Sequence, residues 1–167
     1  NLSGGPAVYT ADITPAADGS VTVNVPADAA QDLAGNGNKA SAKFSIEYDG
    51  TSPQVVLSGT VSDPTNEGTF TVTITFDEEV VGFDLADISV LNGVASNLAG
   101  GAGVYTVDIA PDVDGPVSVD IDPGVAKDSA GNDNEAAIQF STTYDSASPT
   151  VAITYDQAGD TISPFVA

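Results

Sequence analysis

Thr69-Phe70-Thr71-Val72-Thr73-Ile74-Thr75-Phe76 alternates without a break, with threonine at every odd position and a large apolar side chain at every even one. Successive side chains of a strand point to opposite faces, so this stretch reads as a β-strand with one buried face and one hydroxyl-lined face. The same period of two recurs along the chain. Tyr105, Val107 and Ile109 alternate with Thr106 and Asp108, and Val117, Val119 and Ile121 with Ser118 and Asp120. Ile138, Phe140 and Tyr144 repeat the pattern, and Val55 and Leu57 make a short strand after Pro53. Ile88, Val90 and Val94 flank Asn92-Gly93, which reads as a hairpin turn, and Asp114-Gly115 reads the same way between the strands at 104–110 and 116–121. No helical period is sustained, and Leu85-Ala86-Asp87 supplies a single turn at most.

The chain also repeats itself. The segment from Asn1 to Pro53 aligns without a gap on the segment from Asn97 to Pro149, a spacing of 96 residues. The shared features are Val-Tyr-Thr, the Asp-Gly turn, an Asp-x-Ala-Gly-Asn-x-Asn loop and a Tyr-Asp exit followed by Ser-Pro. Residues 50–146 therefore read as one complete unit, 1–49 as the C-terminal half of a preceding one, and 147–167 as the start of a following one. In that last segment Ser148-Pro149-Thr150-Val151 matches Ser52-Pro53-Gln54-Val55, and Phe165 matches Phe70 once one residue is dropped from the intervening loop. About seven antiparallel strands in a unit of this size predict an all-β fold, an immunoglobulin-like sandwich in tandem repeats. Ends that fall in mid-unit suggest a fragment, or part of a longer array.

Composition narrows the function. There are 24 acidic residues against three lysines, for a net charge of −21, and no His, Cys, Met or Trp among 167 residues. The usual general base, the nucleophilic thiol and the common ligands of zinc, copper and iron–sulfur sites are missing. Lys39, Lys43 and Lys127 cannot build a basic patch, so nucleic acid and anionic membranes are excluded as partners. No run approaches the ~18 apolar residues of a membrane span. At 41% hydrophobic residues the chain can still form a core. Self-repulsion among so many carboxylates is relieved by salt or a bound cation, which directs attention to divalent metals.

Taken together, Phe76-Asp77-Glu78-Glu79-Val80, Gly82-Phe83-Asp84-Leu85-Ala86-Asp87-Ile88-Ser89-Val90, the Val-Tyr-Thr strands, the Asp-x-Ala-Gly-Asn-x-Asn loops and the Tyr-Asp…Ser-Pro exits resemble the bacterial Ig-like repeats of large surface adhesins and biofilm-associated proteins. The likeness covers essentially the whole chain. It implies a non-catalytic domain outside the cell, in a tandem array that holds a binding tip away from the surface. It also implies calcium, held in loops or between domains.

Three groups of residues are candidates for that ion. The first is the loop with Asp128, Asn132, Asp133 and Asn134, with its earlier copy Asp32, Asn36 and Asn38. Calcium takes 6–8 hard oxygens, and Asp, Asn and backbone carbonyls around a turn glycine can supply several. The competing reading is an Asx-turn with no ligand. The second group is Glu78 and Glu79 beside Asp77, adjacent acids at a strand end that a cation would relieve and that a solvated loop would tolerate. The third is Asp49 and Asp145, one at each junction, where an ion would stiffen one unit against the next and where the alternative is a plain linker limited by its proline. Asp84 and Asp87 share the ambiguity of the second group. Asp12, Asp108 and Asp120 read as outward-facing solubility charges, and Asp156 and Asp160 carry no assignment.

The expected function is a calcium-stiffened spacer in an extracellular or cell-surface adhesin, with neighbouring Ig-like repeats as its partners. Three readings compete with it. One is a filament or sheath subunit, a homo-oligomer in which strands of one chain complete the half-units of another. The second is a module that binds a ligand, sugar or ice, with threonine rows such as Thr69, Thr71, Thr73 and Thr75 as a flat face. The third is an accessory module of a secreted enzyme.

Overall fold

A computed structural model describes residues 1–154. Among them the first 48 residues carry four strands: β1 (Leu2–Gly4), β2 (Tyr9–Ala11), β3 (Gly19–Val23) and β4 (Phe44–Tyr48). Seven more follow: β5 (Val55–Gly59), β6 (Phe70–Phe76), β7 (Ile88–Leu91), β8 (Gly93–Gly101), β9 (Val104–Pro111), β10 (Gly115–Ile121) and β11 (Phe140–Tyr144). These seven form two antiparallel sheets, ordered β5–β6–β9–β8 and β11–β10–β7. That is the strand order of a seven-stranded immunoglobulin sandwich, four strands against three. The match of Phe165 to Phe70, and Asp156 and Asp160, lie outside the described residues.

The alternating stretch sets the core. On β6, Phe70, Val72, Ile74 and Phe76 are buried, whereas Thr71 and Thr75 are exposed. They meet Val107 and Ile109 of β9 and Val117, Val119 and Ile121 of β10, all buried. Each fully buried side chain of this size stabilises the fold by roughly 1.5–3 kcal/mol. At one end of the sandwich Phe76, Phe83 and Tyr105 pack edge-to-face, with ring centroids 5.0–6.3 Å apart. Phe83 is delivered by the segment before a single 3-10 turn at Leu85–Asp87. Asp84 caps that turn by accepting from the Ala86 N–H, while Asp87 accepts from the Asp84 N–H. The two acids that sequence left open are thus used in capping.

Two turns behave differently from the sequence expectation. Asn92-Gly93 and Asp114-Gly115 are not hairpins, because β7 and β8 lie in different sheets, as do β9 and β10. A two-residue type I′ hairpin needs positive φ at both central residues. Asn92 has φ 58°, but Gly93 does not, so the chain crosses from one sheet to the other. Gly93 is needed there for another reason: a Cβ would meet the Ala110 carbonyl oxygen at 2.9 Å. Asn92 ties the two crossings together, donating from Nδ2 to the Val113 and Pro116 carbonyls. The true tight hairpin joins β8 to β9 through Ala102 (φ 54°) and Gly103 (φ 98°). Ile138 also departs from expectation. It is 88% exposed and precedes β11, whose inward positions are Phe140, Thr142 and Tyr144.

The first 48 residues copy part of this pattern. β3 pairs with β4 from Gly19↔Tyr48 to Val23↔Phe44, and β10 pairs with β11 from Gly115↔Tyr144 to Val119↔Phe140. β1 and β2 form the counterpart of the β8–β9 hairpin.

Opposite faces of β6 should respond differently to truncation. Ile74→Ala is expected to destabilise the chain by about 2–5 kcal/mol, and Thr75→Ala by no more than about 0.5 kcal/mol. Urea unfolding of the two variants measures the contrast.

Candidate metal centre

The loop between β10 and β11 is wired internally before any ligand is considered. Asp128 Oδ1 accepts from the Gly131 N–H at 2.6 Å and the Asn132 N–H at 2.8 Å, and its Oδ2 accepts from Asn132 Nδ2 at 2.7 Å. Gly131 adopts φ 98°, which closes the turn at little cost for a residue without Cβ. Asn134 is buried. Its Oδ1 accepts from the Ala126 N–H at 2.8 Å, and its Nδ2 donates to the Asp122 and Glu135 carbonyls. The earlier loop repeats these bonds 96 residues back. Asp32 accepts from Ala34 and Asn36, and Asn38 bonds Ala30, Pro26 and Lys39.

Three segments converge on this loop. The chain leaves β4 at Asp49 and enters the sandwich at Pro53, whose carbonyl accepts from the Glu135 N–H at 2.9 Å. Gln54 and Asp77 exchange two bonds, one from the Gln54 N–H to Asp77 Oδ1 and one from the Asp77 N–H to the Gln54 carbonyl. Asn132 Nδ2 reaches the Asp49 carbonyl at 3.1 Å, across 83 residues of sequence. As a result Asp49, Glu78 and Asp128 come together, with one carboxylate oxygen from each within 4.8 Å of the other two. Asp49 is exposed, Glu78 half-buried and Asp128 buried. Burial, and then the charges of Asp128, Asp49 and Asp77, push the Glu78 carboxyl above its ordinary value. Asp128 moves the other way, held low by the Asn132 side chain and then by backbone N–H groups.

A sequence model of the bacterial Ig-like domain family matches residues 49–144. The chain belongs to the bacterial Ig-like domain family. Its members are generally non-catalytic and typically lie at the cell surface. Neither curated proteins nor solved structures yield a match. No helix among the described residues is long and apolar enough to cross a membrane.

The Ig-like domain gives the other candidate residues different employment. Asp133 pairs with Lys127, with both side chains exposed. Asn134 is committed to holding the loop, because its oxygen is occupied by the Ala126 N–H. Asn132 lies beside the group, donating from Nδ2 to the Asp49 carbonyl and to Asp128 Oδ2. Glu79 is exposed and outside the group. Asp145 leaves β11 beside the start of β10, away from the three carboxylates, and accepts from the Ala147 N–H. Asp32, Asn36 and Asn38 lie on an exposed loop beside Asp28, and among the described residues Asp32 joins no cluster of three acids close enough to share an ion.

Asp18 and Asp114 were legible only as turn residues, yet each grips a junction. Asp18 accepts from the Gly50 N–H and the Thr51 hydroxyl, and Asp114 from the Ser146 N–H and hydroxyl. Each contact spans 32 or 33 residues, which no local pattern reports.

Asn134→Ala removes three hydrogen bonds at a buried site and should cost about 1–3 kcal/mol, by urea unfolding, with or without divalent cation. The pH dependence has two signs. Asp128, with its lowered folded value, contributes stability that is present above the ordinary carboxylate value and is lost as pH falls through the folded one. Glu78, with its raised value, costs stability as pH rises from the ordinary value through the folded one. In chelator, melting from about pH 3 to about pH 7 should therefore show a flatter acid limb in Asp128→Asn and a smaller neutral-side loss in Glu78→Gln.

Proposed function

We propose that this chain is part of a non-catalytic spacer in a bacterial adhesin or surface filament, and that a calcium ion held by Asp49, Glu78 and Asp128 stiffens the junction between successive Ig-like units. The observation that supports this reading is the origin of the three carboxylates. Asp49 belongs to the chain leaving one unit, whereas Glu78 and Asp128 belong to two loops of the next. A cation bound by all three resists bending at the junction.

The donor set fits calcium. Carboxylate oxygens are hard ligands, and three of them leave coordination positions for water or backbone oxygen. Among the described residues no lysine forms an ion pair with the group: Lys127 pairs with Asp133 instead, and hydrogen bonds relieve Asp128 while Glu78 stays crowded. The bonds already made to Asp128 orient its carboxylate, as hydrogen-bonded partners do for ligating carboxylates elsewhere. An ion that binds only the folded form stabilises it by about 2.7 kcal/mol at a hundredfold excess over Kd.

Asp128→Ala alone is a poor test, because that side chain also closes the loop. Glu78→Gln discriminates. In chelator it removes a repelling charge, and the melting temperature should rise above wild type. In millimolar Ca²⁺ it removes a ligand, and the same variant should melt below wild type. A calcium-independent difference between the two proteins, or an equal response to Mg²⁺, would sink the calcium reading.

A further inference from the structure

The segment that leaves each unit is held by the unit it leaves. β3 pairs with β4 at Gly19↔Tyr48, and β10 pairs with β11 at Gly115↔Tyr144. An antiparallel register also fixes what lies one step beyond each pair. It sets Asp18 beside Asp49 and Asp114 beside Asp145, within reach of the residues that follow. Asp18 Oδ1 accepts from the Gly50 N–H at 2.7 Å, and its Oδ2 accepts from the Thr51 hydroxyl. Asp114 Oδ1 accepts from the Ser146 N–H at 2.8 Å and from the Ser146 hydroxyl at 2.7 Å. In both segments the next N–H turns back on the exit residue: Thr51 donates to Asp49 Oδ1, and Ala147 to Asp145 Oδ1.

The two copies differ in a way that isolates what is held. Gly50 and Thr51 align with Ser146 and Ala147, so neither residue type is shared and the hydroxyl has moved by one position. Each aspartate nevertheless takes one N–H and one hydroxyl. A linker that merely needs to be polar places no such demand on its residues. Downstream, the first of these segments is tied to the following unit. The Pro53 carbonyl accepts from the Glu135 N–H, and the Gln54 N–H donates to Asp77. Gly50 and Thr51 are thus anchored to one unit and Pro53 and Gln54 to the next, with Ser52 between them. The ring of Pro53 fixes its own φ and removes a further freedom.

We propose that Asp18 and Asp114 are clasps that fix the direction in which the chain leaves each Ig-like unit, so that a junction is held without any cation. Each clasp requires a hydroxyl on one of the two residues after the Tyr-Asp exit. Hydrogen bonds to a charged acceptor are the stronger kind, and two on one carboxylate fix the orientation of the exit as well as its position. A bound ion would add to this restraint, but the clasp does not depend on the metal site.

The test uses the full chain, which has no cysteine of its own. Thr22→Cys and Thr106→Cys, both at exposed strand positions, place one spin label on each side of the first junction. In chelator, pulsed double electron resonance on this labelled chain should give a narrow distance distribution. Thr51→Val removes the hydroxyl and changes no charge. It should broaden the distribution and speed amide exchange at Gly50 about tenfold. Thr51→Ser should restore both. In the complete unit, Ser146→Ala should speed exchange at residue 146 by a similar factor, whereas Ser146→Thr should not. Exchange protection at Val21 and Ile46, partners across β3 and β4, reports whether the first segment stays folded. If Thr51→Val loses that protection, the Ser146 variants decide the matter. The proposal is overturned if the distribution in chelator is already broad with Thr51 intact, or if only Ca²⁺ narrows it. It is also overturned if Thr51→Val and Ser146→Ala change neither readout. A narrow distribution that Ca²⁺ leaves unaltered would count against the metal and leave the clasp standing.

Discussion

Everything else in this protein rests on one apolar seam, the contact between the inward face of β6 and β9 and that of β10. With no cysteine there is no disulfide to hold the sheets together, and with a net charge of −21 long-range electrostatics push the chain apart. Burial of Phe70, Val72, Ile74 and Phe76 against Val117, Val119 and Ile121 must overcome that repulsion. The acids are accordingly kept off the seam. They sit on outward strand faces, where Asp108 accepts from Thr71 and Asn97 and Asp120 accepts from Gln139, or at the loop ends of the sandwich.

Most loop acids then hold backbone. Asp84 and Asp87 cap a 3-10 turn, Asp77 holds Gln54, Asp114 holds Ser146, and Asp63 accepts from the Thr143 N–H. At Asp114 the Ser146 N–H and hydroxyl hold the carboxyl below its ordinary value. Glu78 is placed differently. Burial and then the neighbouring carboxylates push its carboxyl up, whereas the Asn132 side chain holds that of Asp128 down.

The two copies of the Asp-x-Ala-Gly-Asn-x-Asn loop separate local from tertiary causes. Asp32 and Asp128 make the same turn bonds although one loop lies open and the other packs against Asp49. The turn is therefore written in the local sequence, by an Asp followed by Gly and two Asn. The ability to gather three carboxylates is not, since only the second loop has Glu78 and Asp49 beside it.

Sequence by itself determined the main strands of the sandwich, the buried face of β6, β9 and β10 and the period of 96, because side-chain direction in a strand depends only on residue parity. It also named Asp49, Glu78 and Asp128 among its candidates, though alongside Asp133, Asn134, Glu79 and Asp145, which the fold employs or places elsewhere. Only tertiary structure decided which acids meet. Asp49, Glu78 and Asp128 lie far apart along the chain, and their approach depends on how the sheets face each other. It likewise decided that Asn92-Gly93 and Asp114-Gly115 cross between sheets. A turn dipeptide records local φ and ψ, whereas the strand that a following segment joins is set by which apolar face it can bury.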